Sequence, residues 1–375
     1  MTQRSAFILL IIIIIITGCN KKSINLPELY DANLETIAVG MPGVNCLTLQ
    51  KSVHKNPLSY QIYSSGRNPK YDPYKWTLKG SNDGEKWTIL DKRDNQHFCS
   101  RFQEKSFSIQ NPKKYEQYLL TAETEHADTL MVADFMLLPF NTVDSWLYFK
   151  FPEVFFENNA QSTPGSKYYE QLVQDPDRFI CYHAQKVAEI LFYTDKDKMN
   201  DIQEIHYQLR DYKGISAKSG QSPVVSVMYS TQHIEKSAKE SLYQLNYETR
   251  GVLFHELTHA YQFEPHGIGT YSTNKVFWAC IEGLADAVRA EAGFFDINKL
   301  RKPGGHWLDG YQTTGFFLQW LTSKDPDAIK KFHLTVRDLP VWSFDLAMKQ
   351  IFGPDSGIEK LWNEYQDFLN TSTTI

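Results

Sequence analysis

Five consecutive residues, His255-Glu256-Leu257-Thr258-His259, carry the clearest chemistry in this chain. Residues four apart on a helix lie on one face, one turn above the other. Two imidazoles at that spacing can aim at one point in space, and Glu256, one residue along, sits beside it. Two nitrogen donors and a carboxylate that can take a proton from water are the parts of a zinc hydrolase. The requirement is a helix. Leu253, Leu257 and Ala260 recur at helical spacing across Glu248 to Phe263, and Pro265 and Gly267 are expected to close the element. A solvated helix bearing two unrelated histidines is the plainer reading. The apolar run around the motif argues against it, because an unpaired charge such as Glu256 is costly there.

A catalytic zinc needs a third protein ligand and an open position. The residue three after His259 is Gln262 and the residue six after it is Pro265, so a third ligand in the same segment, as in metzincins, is not supported. A second helix is expected from Trp278 to Arg289, with Glu282 lying 23 positions past His259 and Asp286 one turn further on. Either carboxylate could face the metal. Glu282 has the longer reach. Asp286 is better suited to accept the ring N–H of a histidine. The plain alternative, surface ion pairs with Arg289, fits poorly among Ile281, Leu284, Ala285 and Val288.

Three blocks, HELTHAYQ, IEGLADAVR and the later run from Trp307 to Trp320, resemble the basic secretory protein family of plants and bacteria over roughly residues 150 to 370. That resemblance implies a zincin-type zinc peptidase, with His255, His259 and Glu282 on the metal, Glu256 as the base and Asp286 behind the ligands. It departs from the family at Ala287, where tyrosine is usual. Tyr311 lies in the Trp-x-x-Gly-Tyr block, and a phenol there could stabilise an oxyanion or simply cap a backbone group. His306 is a weaker candidate for the same role. His183 and His233 read as structural.

The elements that hold this site follow from the rest of the chain. A positive start at Arg4, ten apolar residues from Phe7 to Ile16, and Ile16-Thr17-Gly18-Cys19 read as a lipoprotein signal peptide over residues 1–18, with Cys19 as the lipidated residue. The expected location is the cell envelope, at the outer membrane or cell surface, with anchoring by acylation. Asn20 fits the outer membrane. The net charge of −5 gives no basic excess for nucleic acid. The other four cysteines form no Cys-x-x-Cys pair; a Cys46–Cys99 disulfide is compatible with export, and Cys181 and Cys280 read as core.

Residues 19–140 show short alternating segments separated by turns, with Asp83-Gly84 between two of them as a hairpin signal. This reads as a β-sandwich. Tyr74 to Trp87 resembles the discoidin, or coagulation-factor type C, family, whose members are jelly rolls that often bind glycans or membranes. The opening strands are compressed into residues 34–49. Residues 150–372 are expected to form the metallopeptidase domain, a mixed sheet with a helical C-terminal half, making the chain α+β overall. Val224 to Tyr229 precedes the active-site helix and is expected to form the sheet edge along which an extended substrate pairs. The expected partners are a zinc ion, a protein or peptide substrate, glycoproteins included, and a membrane through the lipid. The alternative is an inactive fold of the same type that binds glycans.

Overall fold

The computed structural model describes residues 38–40, 46–50, 56–127 and 130–372. Cys19 and the rest of the signal region lie outside the described residues, as does the Cys46 side chain on which the disulfide depends. The chain divides into two compact units, one taking the residues up to Asp144 together with Leu172–Asp175, the other Ser145–Gln171 and everything from Pro176 onward. No helix among the described residues is long and apolar enough to cross a membrane.

The first unit is built from β1 (Ala38–Gly40), β2 (Cys46–Gln50), β3 (Ser59–Ser64), β4 (Lys75–Ser81), β5 (Thr88–Arg93), β6 (Glu104–Ser108), β7 (Gln117–Glu123) and β8 (Leu130–Leu138). They form two four-stranded sheets, β1-β8-β3-β6 and β2-β7-β4-β5, with antiparallel neighbours throughout. Alternate residues of β3 and β4 face inward, so Tyr60 and Ile62 of β3 meet Trp76 and Leu78 of β4 in one core with Tyr118, Leu120 and Phe135. The Asp83-Gly84 turn closes the β4–β5 hairpin. Asp83 Oδ1 accepts the N–H groups of Glu85 and Lys86 at 2.8 Å, the local side-chain bonding that makes Asp a turn residue. The core carries one polar chain: Trp76 Nε1 donates to the Tyr60 hydroxyl at 2.7 Å, which donates to Asp91 Oδ2 at 2.6 Å.

The second unit begins with β9 (Glu153–Asn158), α1 (Pro164–Leu172) and α2 (Pro176–Leu191). Next come β10 (Glu204–Arg210), β11 (Ser216–Gln221), β12 (Val224–Ser230) and α3 (Thr231–Ala238). The C-terminal half is helical: α4 (Leu242–Tyr261), α5 (Lys275–Glu291), α6 (Ile297–Leu300), α7 (Tyr311–Trp320), α8 (Ala328–Asp338), α9 (Phe344–Phe352) and α10 (Ile358–Ser372). The sheet order is β11-β12-β10-β9, parallel between β9, β10 and β12 and antiparallel at β11. The sheet is therefore mixed, and its edge corrects the sequence expectation. Val224–Ser230 is an inner strand, paired on both sides, with Val225, Val227 and Tyr229 fully buried. The edge beside α4 is the polar strand β11.

Two departures concern the site helices. Helix α4 starts six residues earlier than Glu248, where Ser241 caps it by accepting the Gln244 N–H at 2.9 Å. It ends at Tyr261 because Gln262 is already extended, before Pro265 is reached. Helices α5 and α7 cross in close contact. A Cβ on Gly283 would meet the Thr314 side chain at 2.4 Å, and one on Gly315 would meet Asp286 Cβ at 2.8 Å and the Ala287 nitrogen at 2.9 Å. Only glycine allows that approach.

Candidate metal centre

Helix α4 presents His255, Glu256 and His259, and α5 presents Glu282 and Asp286. Thr258 turns its hydroxyl back to the Phe254 carbonyl at 2.6 Å, which keeps a polar residue satisfied on the buried side of α4. The two imidazoles converge with their Nε2 atoms 3.1 Å apart. Glu282 Oε2 lies 3.3 Å from His255 Nε2 and 3.6 Å from His259 Nε2. Asp286 does not join that triangle. Its Oδ1 lies 2.7 Å from His255 Nδ1, on the far side of the ring, where it accepts the Nδ1–H.

These distances test whether a metal fits. Three ligand atoms held at about 2.0–2.2 Å in a tetrahedron stand roughly 3.3–3.6 Å apart, close to all three edges observed. The donors are two nitrogens and one carboxylate oxygen, a set zinc accepts. His255, His259 and Glu282 form a group that could hold a metal ion. The electrostatics favour positive charge there. Burial opposes a charged His255, yet Asp286 and Glu282 push it up to about 10. Burial also works against the Glu282 carboxylate, yet the two rings and the Tyr271 hydroxyl hold it well below the usual range.

Glu256 is 5% exposed, and its Oε1 accepts the Ser216 hydroxyl at 2.6 Å. The charge that the apolar run makes costly is thus met by a hydroxyl from β11. Tyr311 is half exposed and stands at the mouth of the site, its ring nearly parallel to that of His255 with centroids 6.1 Å apart. It is the first residue of α7 and holds φ at +39°, a left-handed value uncommon outside glycine. His306 takes no part. Its Nδ1 accepts the Leu308 N–H at 3.1 Å and its ring stacks on Trp307, so it organises its own turn. His183 is fully buried, with Nδ1 on the Phe179 carbonyl and Nε2 facing Arg250 at 3.1 Å. His233 lies 3.5 Å from Glu248. Cys280 is core, whereas Cys181 is only partly buried.

Three further residues touch the site: Ser216, Gln262 and Tyr271. Gln262 Nε2 lies 2.7 Å from His259 Nδ1. Its spacing of three from His259 places it on the same helical face, a signal available in the sequence. Tyr271 donates to Glu282 Oε1 at 2.6 Å and comes from a loop with no local pattern to mark it.

Two histidines and a carboxylate from neighbouring helices thus form a group that could hold a metal ion, with a buried acid alongside. Residues 152–365 match the family described as peptidase of plants and bacteria, and the chain belongs to that family. A peptide-N(4)-(N-acetyl-beta-glucosaminyl)asparagine amidase of Arabidopsis thaliana is 42% identical over 66 residues, 17% of this chain. The chain spans only 9% of that relative. Among solved structures, a family 32 carbohydrate-binding module of Clostridium perfringens in complex with galactose is 15% identical, covering 28% of this chain and 77% of its own, with a TM-score of 0.24. A factor 5/8 type C domain from Bacteroides fragilis is 13% identical, covering 28% and 75%, with a TM-score of 0.25.

Proposed function

We propose that this chain hydrolyses peptide bonds with a zinc ion held by His255, His259 and Glu282. The observation that carries this reading is the meeting of three donor atoms from two helices beside the buried Glu256. Membership of a peptidase family supports the substrate class. When bound, zinc would supply a Lewis acid that polarises a carbonyl and brings the pKa of a water toward about 7.

The remaining work falls to the protein. Asp286 accepts the His255 Nδ1–H, which leaves the Nε2 lone pair facing the other donors. Ser216 holds one oxygen of Glu256, and the other is assigned to take the proton of the attacking water and return it to the leaving amine. The Tyr311 hydroxyl, at the mouth, is assigned to the oxyanion that develops on the substrate carbonyl. The polar edge strand β11 offers backbone groups to an extended peptide.

The lipid anchor belongs to the same proposal. Cys19 would carry the lipid and hold the protein at the cell envelope, and Cys19→Ser would abolish lipid labelling. The sandwich unit is assigned to glycan on a glycoprotein substrate, on the strength of the Tyr74 to Trp87 resemblance.

The test of the activity is zinc content together with chelator-sensitive cleavage of a mixed protein substrate. Glu256→Gln should keep zinc and lower the rate by roughly 10²–10⁴-fold. Unchanged hydrolysis by the zinc-loaded variant would sink the mechanism.

A further inference from the structure

His259 can offer Nε2 to a metal only when the proton of its neutral ring is on Nδ1. The group facing Nδ1 must then be an acceptor. His255 meets this requirement through the Asp286 carboxylate. Among the described residues, His259 has Gln262 at that position, with the amide nitrogen 2.7 Å from Nδ1. In that orientation the amide donates and the ring proton sits on Nε2, on the side of the Glu282 carboxylate, whose Oε2 lies 3.6 Å away. That arrangement occupies both ring nitrogens and leaves no lone pair for a metal.

The other end of the same amide, Oε1, is buried without a hydrogen-bond partner. Nothing but the Nδ1 contact therefore holds the amide one way round. A half-turn about its Cγ–Cδ bond brings Oε1 onto Nδ1, exchanges donor for acceptor and loses no protein hydrogen bond. The rest of Gln262 is pinned. Its N–H donates to the Thr258 carbonyl at 2.8 Å, and its own carbonyl accepts Asn200 Nδ2 at 3.1 Å. The residue is 4% exposed, so water is a poor substitute for the missing acceptor.

We propose that Gln262 is a positioning residue that sets the tautomer of His259, its amide turning to accept the Nδ1–H as the metal enters. The proposal rests on the reading of His255, His259 and Glu282 as a metal site. It predicts two states of one side chain: amide donating in the metal-free protein, amide accepting in the loaded one.

The experiment measures zinc affinity by competition with a chromophoric chelator, and the His259 tautomer by nitrogen NMR of the histidine rings, in the full chain. Zinc-loaded wild type should show the proton on Nδ1 of His259, and the metal-free protein should show it on Nε2. Gln262→Leu should weaken zinc by about 10–100-fold, the usual cost of losing a group that orients a ligand. Gln262→Glu, which can only accept, should bind zinc as tightly as wild type. Zinc binding by wild type with undiminished affinity in Gln262→Leu overturns this inference and leaves the metal site standing. Equal losses in the Leu and Glu variants overturn it as well. A wild type that binds no zinc removes the site and the inference together. Should Gln262→Leu fail to fold, the tautomers of wild type in its two states still decide the matter.

Discussion

Ser216 and Glu256, forty residues apart in the chain, meet at 2.6 Å between a strand hydroxyl and a helix carboxylate. The contact fixes the direction of the one acid that α4 buries beside the histidines. It also ties the edge strand β11 to the proposed base.

Ser216→Ala should therefore act on turnover more than on binding. A hydrogen bond to a charged group contributes about 1.5–3 kcal/mol, which corresponds to a fall in kcat of roughly 10–100-fold if the bond orients the base. KM and zinc content should stay near wild type. A Ser216→Ala enzyme with wild-type kcat would show that Glu256 holds its direction without the hydroxyl.

The two carboxylates of α5 should separate by the role each geometry implies. Glu282→Ala removes an oxygen that lies within 3.3 Å and 3.6 Å of the two Nε2 atoms, and should abolish most zinc binding and all activity. Asp286→Ala removes only the acceptor on His255 Nδ1 and should weaken zinc by about 10–100-fold. Zinc titrations that give the reverse order would exchange the two assignments.

The split between what was legible in the residues and what was not follows from which contacts are local. The pairs His255/His259 and Glu282/Asp286 could be read because a helix fixes the geometry of residues four apart whatever surrounds it. That Glu282 meets the Nε2 atoms and Asp286 the Nδ1 depends on how α5 is set against α4, and stem length alone only favoured it. Ser216 and Tyr271 arrive from a strand and a loop, so nothing near them in sequence marks them. The edge was misplaced for a physical reason. The apolar alternation of Val224 to Tyr229 is that of a strand buried between neighbours, whereas Ser216-Ala-Lys-Ser-Gly-Gln has the polar composition that exposed edges carry. In the sandwich, the alternation of Tyr60 and Ile62 marks an inward-facing strand and Asp83-Gly84 marks the β4–β5 hairpin, whose strands are neighbours in sequence; the other pairings join strands distant in the chain and had no local signal.

Stability should fall on mild acidification because of His333. Its ring is fully buried, stacked on Phe263. Its Nδ1 donates to the Leu191 carbonyl at 3.1 Å, and Nε2 accepts the Phe263 N–H at 3.0 Å. Protonation at Nε2 would break that last bond and bury a charge. Burial, aided by the Arg337 charge, holds the group down at about 4. A histidine depressed in the folded state contributes stability that is present above the unfolded value near 6.5 and is lost as pH falls from there toward 4. The unfolded chain takes up the proton first, so the loss between pH 7.5 and 5 is about 2 kcal/mol from this residue. Urea unfolding at those two pH values should show it. His333→Gln should be less stable throughout but should show a smaller difference between the two, and an equal difference would refute the assignment.

Gly315→Ala sets two effects of opposite sign against each other. In a helix interior, alanine is favoured over glycine by roughly 0.5–1 kcal/mol, so propensity alone predicts stabilisation. The new methyl, however, would stand 2.8 Å from Asp286 Cβ and 2.9 Å from the Ala287 nitrogen. Those atoms belong to or adjoin the backbone of α5 and cannot rotate aside, so the helices must part. Overpacking of this kind costs about 1–3 kcal/mol and should outweigh the propensity gain. The displacement falls on the residue that accepts from His255 Nδ1, so the variant should lose thermal stability and zinc affinity together. For Gly283→Ala the nearest atoms are in the Thr314 side chain, Cγ2 at 2.4 Å and Cβ at 2.6 Å. It should destabilise too, and Thr314→Ser removes the opposing Cγ2 methyl but leaves Thr314 Cβ 2.6 Å away, so the double variant should recover only part of the loss. No such partner substitution can rescue Gly315→Ala. A Gly315→Ala protein with a raised Tm and unaltered zinc affinity would mean that α5 and α7 do not cross as closely as their glycines indicate.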